Sequence, residues 1–256
     1  MPMPGVAIES LYDDEIKTLL ARRPVALLPV GAVESHGDHL PAGADNILAR
    51  RLVERLIERL AGAVPVVAMP VLAFGQVWSL ADAPGSFSLS AETVSRILVE
   101  LGLSAKAKGL ATMAAVNAHY GNVAALREAQ RRLKDEDFTL AVFTYPGMDD
   151  ISQRVRERPV AHPAFMHACE IETSFMLHLA PENVRMERAI ENYPKFPADF
   201  GEVAYRWSEF SESPVLGDPR AATAAKGKAI LDRVIERMAE SVAALHARQK
   251  PRGDAV

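Results

Sequence analysis

Two kinds of apolar pattern alternate along the chain. Residues 24–30 (PVALLPV), 64–71 (VPVVAMPV), 110–116 (LATMAAV) and 138–143 (FTLAVF) are short runs almost free of charge. Runs of this length predict strands of a parallel sheet that is buried on both faces. Pro65 and Pro70 mark the ends of the second run. Between the runs, apolar residues recur at three- and four-residue intervals, as on one face of a helix. Residues 13–23 read as one such helix, and 46–60 as another, with Ile47, Leu48, Leu52, Leu56, Ile57 and Leu60 set among Arg and Glu. Residues 91–108 follow, with Ser90 as N-cap, and then 123–133. Further on, 170–179 reads as a helix ended by Pro181. Residues 221–248 form a long helix with Ile230, Val234, Met238, Val242 and Leu245 along one side. The stretch 191–219, rich in aromatics, Pro, Ser and Glu, has neither period and predicts a long surface loop or hairpin. Residues 251–256 read as a frayed tail.

Strands and helices joined by short loops predict an α/β fold with a parallel sheet covered on both faces. No repeat or low-complexity linker interrupts it, so one domain spanning 1–256 is expected. Ligands of such sheets lie beyond the carboxyl ends of the strands. Polar residues just after Val30, Val71, Val116 and Phe143 are therefore the informative ones.

Composition narrows the class of partner. The 256 residues are 49% hydrophobic and 24% charged, with a formal net charge of -4. That balance argues against nucleic acid and against an anionic membrane surface. Cys169 is the only cysteine, which excludes an intramolecular disulfide and Cys-rich zinc sites. The first residues have no basic segment followed by an apolar run, and no stretch approaches the roughly 20 apolar residues of a membrane span. A soluble cytoplasmic protein is the expectation, and its chemistry has to be read from local residue patterns.

The loop after the first strand carries Glu34, His36, Asp38, His39 and Asp45, with Gly31, Gly37 and Gly43 between them. Carboxylates mixed with imidazoles suit Zn²⁺, Mn²⁺ or Fe²⁺. Asp45 directly precedes a helix, so it is either an N-cap or a carboxylate that bridges two cations with its two oxygens. The third strand ends in Asn117, His119, Tyr120 and Asn122. His119 there is a ligand or a hydrogen-bonded loop histidine, and the two asparagines can lock the loop. A third piece holds His167, Glu170 and Glu172. Two residues apart on a helix is about 200°, so at most one of the two glutamates faces a site. Glu172 shares a side with Phe175 and Met176, where a carboxylate needs a partner such as a metal. Glu170 is then the solvated one. Residues 74–79, after the second strand, bring Trp78 and Ser79 to the same rim. Both are candidates for the substrate pocket, with an interface or lid contact as the other reading of Trp78.

The motifs GAVESHGDHLPAGAD, NAHYGN and HACEIETS, followed by Gly217-Asp218-Pro219 and the segment from Ala222 to Gly227, resemble those of the creatininase family of metal-dependent amidohydrolases. The likeness runs from residue 24 to about 230. It implies a three-layer α/β/α sandwich with a mostly parallel central sheet, two divalent ions per subunit (Zn²⁺ first, with Mn²⁺ or Fe²⁺ as the others) and a homo-oligomer, commonly a hexamer. By position, Glu34 and His119 resemble ligands of one metal and His36 of the other, with Asp45 as bridge and Glu172 as the fifth ligand. His167 falls on a histidine that faces the substrate. Creatininases place a glutamate where this chain has Gly121, and tryptophans where residues 146–167 have none. Those departures point away from creatinine, toward the formamides, cyclic amides, lactam-like rings or peptide-derived cofactors of the wider branch. The implied chemistry is attack of a hydroxide shared by two cations on an amide carbonyl. His167, or a carboxylate beside it such as Glu170, would pass the proton to the leaving nitrogen. Tyr120, Ser79, Trp78 and His39 are the expected substrate contacts. A hydrolase of a C–C or C–O bond in a cyclic ketone or polyol is the alternative, as is a metal-dependent binding protein without turnover.

Overall fold

The computed structural model describes residues 6–60 and 62–249; the tail expected at 251–256 lies outside them. Among the described residues, eleven helices and strands of more than one bridge or turn set the architecture. In chain order they are α1 (Asp13–Ala21), β1 (Val25–Val30), α2 (Ala44–Leu60), β2 (Val66–Ala68), α3 (Ala91–Ala107), β3 (Thr112–Asn117), α4 (Val123–Asp135), β4 (Thr139–Phe143), α5 (Asp149–Val155), α6 (Glu170–Leu179) and α7 (Ala224–Ala247). The four strands form one parallel sheet in the order β2-β1-β3-β4. The chain is therefore an α/β fold, as its apolar pattern predicts.

Successive strand residues point to opposite faces, and the two cores sort accordingly. Val25 and Leu27 of β1, with Ala114 and Val116 of β3, pack under α2, α6 and α7. Ala26, Leu28 and Val30, with Met113 and Ala115, pack under α3 and α4. Every residue of β1 and β3 is buried, which is why both runs are almost free of charge.

Local chemistry accounts for the boundaries that differ from expectation. β2 spans three residues instead of eight, because Pro65 and Pro70 have no N–H to give a ladder. Beyond it the chain keeps only a single bridge from Leu72 to Val30. α2 begins at Ala44, so Asp45 lies inside its first turn. Thr223 caps α7 by accepting from the Lys226 amide. The stretch 191–219 is not a detached surface loop: its Trp207 and Leu216 are buried with Ala32, Val77 and Leu80 above the carboxyl edge of the sheet.

Candidate metal centre

β1 and β3 are neighbours, with Val30 level with Asn117, so the loops that follow them leave the sheet together. Asn122 ties three of these loops with one side chain. Its Nδ2 donates to Gly31 O at 2.9 Å, and its Oδ1 accepts from the Gln76 amide at 2.9 Å. Asn117 Nδ2 donates to His119 O at 2.7 Å. The asparagines thus brace the rim as the sequence suggests, and they do so through backbone groups.

Three imidazoles converge on this rim. His36 Nδ1 lies 3.0 Å from Glu34 O, His119 Nε2 2.7 Å from Gln76 O, and His167 Nε2 2.8 Å from Ser35 O. A carbonyl oxygen only accepts, so each of those nitrogens carries a proton. The opposite nitrogen of each ring faces carboxylate oxygen. His36 Nε2 is 3.5 Å from Asp45 Oδ1 and 3.9 Å from both Glu34 Oε1 and Glu172 Oε2. His119 Nδ1 is 2.9 Å from Glu34 Oε1 and 3.3 Å from Asp45 Oδ2. His167 Nδ1 is 3.6 Å from Glu34 Oε1. Glu34–Asp45–His119 and His36–Asp45–Glu172 each bring their ligand atoms within 4.8 Å of one another, as do Glu34, His36 and His167. Asp45 belongs to two of these groups and offers a different oxygen to each imidazole. Neither Asp45 oxygen has a hydrogen-bond partner, nor does His36 Nε2, and all three atoms are buried. Asp45 is therefore no N-cap. An unsatisfied buried polar atom is worth about 1–3 kcal/mol of lost stability. A cation between an imidazole lone pair and a carboxylate satisfies both, and a backbone carbonyl on the far imidazole nitrogen is how such ligands are oriented. The residues present fit divalent ions.

The local field agrees. Burial pulls His36 down, yet Asp45, Glu172 and Glu34 together lift it to about 10. His119 is likewise raised well above the ordinary imidazole range by Glu34 and Asp45, against burial. Burial would raise Asp45, but His36 and His119 hold it below the usual carboxylate range. Glu172 is pushed up to about 7 by burial, with Asp45 and Glu34 adding to that and His36 opposing. Its carboxylate accepts the Ala168 amide. Ala168 sits at φ 48°, a left-handed strain of about 1–3 kcal/mol that goes with this hydrogen bond. His167 is held below its ordinary value by burial, against the pull of Glu34.

A cavity of about 330 Å³ opens over these groups, and Glu34, Asp45, His119, His167, Glu172, Tyr120 and Ser79 all line it. Three other expected site residues lie elsewhere. Glu170 is buried, not solvated. It turns away from the cluster to Lys226 Nζ at 2.6 Å and accepts the amides of Glu157 and Arg158, so it is no proton donor to a ligand in the cavity. His39 is also buried, with Nε2 3.0 Å from Thr173 Oγ1, and does not line the cavity. Burial and the nearby His36 hold it down at about 4. Trp78 is 39% exposed. Its ring stacks under the Arg206 guanidinium, 4.2 Å from the centroid, outside the cavity wall. Gln76, Phe165 and Trp207 do line the cavity and were not singled out by motif. Gln76 acts through its backbone carbonyl, which no side-chain pattern reveals.

Comparison with known proteins gives a consistent placement. The family model described as creatininase, creatinine amidohydrolase, matches residues 9–242. The mycofactocin precursor peptide peptidase of Mycobacterium tuberculosis (strain CDC 1551 / Oshkosh) is 33% identical over 86% of this chain and 85% of its own. The creatinine amidohydrolase of Pseudomonas putida is 25% identical over 85% of this chain and 88% of its own. A crystal structure of creatinine amidohydrolase (creatininase) superposes with a TM-score of 0.81 at 24% identity, covering 95% of this chain and 99% of that one. Sequence model, relatives and fold agree that the chain belongs to the creatininase family, in its wider branch outside creatininase itself.

Proposed function

We propose that the chain is a dinuclear metal-dependent amidohydrolase that cleaves an amide C–N bond of a small polar substrate. Glu34, Asp45 and His119 hold one divalent ion and His36, Asp45 and Glu172 the other. The observation that carries this reading is the set of fixed imidazoles: each is held by a backbone carbonyl on one nitrogen and aims the other at carboxylates, two of them at opposite oxygens of Asp45. Bound there, the ions supply a water ionised near neutral pH and a Lewis acid for a carbonyl oxygen. Hard oxygen and imidazole donors without thiolate favour Zn²⁺, then Mn²⁺ or Fe²⁺.

The chain's own groups supply the rest. Burial favours the neutral form of His167, and Ser35 O accepts its Nε2–H. Its Nδ1 is free to take a proton and deliver it to the leaving nitrogen. Burial pushes the Tyr120 phenol up to about 12, so it remains a hydrogen-bond donor at the cavity wall. Val77, Leu80 and Trp207 form an apolar side of the same cavity and keep water from competing for these groups. The two relatives' names denote cleavage of a peptide and of creatinine, both at C–N bonds. Gly121 and the absence of Trp from residues 146–167 disfavour creatinine here. Ring amides, lactams, formamides and short peptide-type amides are the substrate classes to screen.

Metal analysis of the purified protein should find two ions per chain, and a screen over formamides, lactams, hydantoins, creatinine and short peptides should find turnover that a chelator abolishes. Asp45→Ala should lose both ions and at least about a hundredfold in rate, since a bridging carboxylate serves both sites. Two retained ions with undiminished turnover in that variant would overturn the reading.

A further inference from the structure

A second cavity, of about 190 Å³, opens beside the first and shares Ser79, Phe165 and Trp207 with it. Its wall is aromatic. Phe165, Phe196, Phe200 and Phe210 are four of the chain's nine phenylalanines, and Trp207 is one of its two tryptophans. Ring centroids lie 4.7 Å apart for Phe196 and Phe200, 5.1 Å for Phe200 and Phe210, 5.4 Å for Phe165 and Phe200, and 5.3 Å for Trp207 and Phe210. These are the separations at which aromatic rings attract edge to face. The packing is mutual but does not fill the space, and Phe165 stays 48% exposed at the mouth.

Trp207 links the two cavities. Its indole N–H donates to Ser213 O at 2.8 Å, and its amide to Ser79 O at 2.7 Å. With those polar groups satisfied, the ring presents an apolar surface. Its ring lies 5.3 Å from that of His167, the residue whose free nitrogen faces Glu34. An apolar group seated in the aromatic cup is thus within reach of a carbonyl placed over the metal ligands. An engineered apolar cavity of about 150 Å³ takes benzene, so the volume suits a single ring.

We propose that this cup is the specificity subsite of the enzyme, and that it takes one aromatic or branched aliphatic side group of the amide substrate, next to the bond that is cleaved. The proposal rests on the amidohydrolase reading above and adds the substrate's apolar substituent to it. Formamide-sized compounds leave the cup empty and should be poor substrates.

The test is equilibrium binding of two chelating probes to the zinc-loaded full chain: acetohydroxamate, which needs only the ions, and phenylacetohydroxamate, which adds one ring. The phenyl compound should bind at least about tenfold tighter, since each 1.4 kcal/mol is tenfold and burying an aromatic ring exceeds that. Phe200→Ala should reduce that preference severalfold while leaving acetohydroxamate affinity unchanged, which also shows that the variant is folded and metallated. Val203→Trp, at an exposed position on the rim, should abolish it by filling the cup. Equal binding of the two probes to the unmodified protein, or a preference that survives Val203→Trp, overturns the subsite while leaving the metal centre intact. Failure of both probes to bind overturns the subsite together with the amidohydrolase reading.

Discussion

The carbonyl of Gln76 decides more at this site than its side chain does. It fixes the tautomer of His119 and so turns Nδ1 toward Glu34 and Asp45. Gly121 is the residue that makes room for this: a Cβ built there would overlap both Gln76 O and His119 Nε2. The glycine at the position of the creatininase glutamate is therefore part of how this chain orients His119. Gly121→Ala should separate His119 from Gln76 and weaken metal binding by about 10–100-fold, the usual effect of losing a group that orients a ligand. A zinc titration against a competing chelator reads this directly, with circular dichroism as the control for folding. Gly121→Glu should show the same loss and gain no creatinine turnover. At this scale the sequence was informative where a residue type has few uses: Glu34, His36, Asp45 and His119 follow β1 and β3 closely, at the edge where ligands of such sheets lie. It was uninformative where the partner is a backbone atom, as for His119, or a side chain far along the chain, as for His39 and Thr173.

Among elements, α6 is the instructive case. Helical spacing correctly separates Glu170 from Glu172 by half a turn or more, and Glu172 is the one that enters the cavity. Periodicity gives an angle but not a neighbour, so it could not show that the opposite face meets α7. There Lys226 Nζ lies 2.6 Å from Glu170 and 2.8 Å from Glu157, and Gly227 lets α7 approach so closely that a Cβ would strike the Ser174 backbone. Glu170 thus joins two helices and the segment at Glu157 and Arg158. Glu170→Gln keeps an acceptor for those amides but removes the charge beside a mostly buried ammonium. Breaking a buried ion pair costs about 3–5 kcal/mol; with Glu157 still on Lys226 the loss should be nearer about 2 kcal/mol. Thermal or denaturant unfolding should show it, with turnover per metal-loaded molecule unchanged. A fall in turnover at full metal loading and unaltered stability would instead return Glu170 to the chemistry. The aromatic stretch 191–219 is an irregular loop, as its lack of period predicts, but the burial of Trp207 and Leu216 in it was not legible, for a related reason. Its residues have no period, because they pack on the ends of other elements and not along one face of their own.

For the whole molecule, the proposed metal centre would also be a clasp. The candidate ligands come from the loop after β1, the first turn of α2, the loop after β3 and the first turn of α6, so ions seated there would hold both halves of the chain against the sheet. Whatever binds the folded state alone stabilises it by mass action, and a chelator should lower the melting temperature. The size of that drop should depend on pH, and the sign follows from His36. Its ordinary value is 6.5, and its carboxylate neighbours raise it in the fold to about 10. The metal-free fold therefore binds a proton there that the unfolded chain has released between those two values. His36 contributes stability that is fully present below about pH 6.5 and is lost as pH rises through about 10; His119, raised in the same direction, adds to the trend. Protons thus partly replace the cations at low pH and fail to do so at high pH. The gap between the melting temperatures of zinc-loaded and chelator-treated protein should be smallest near pH 6 and widen toward pH 9. In His36→Gln the metal-free protein should vary less with pH over that window. A gap that stayed constant from pH 6 to 9 would mean that the buried carboxylates do not depend on positive charge at this site, and the clasp would have to be sought elsewhere in the fold.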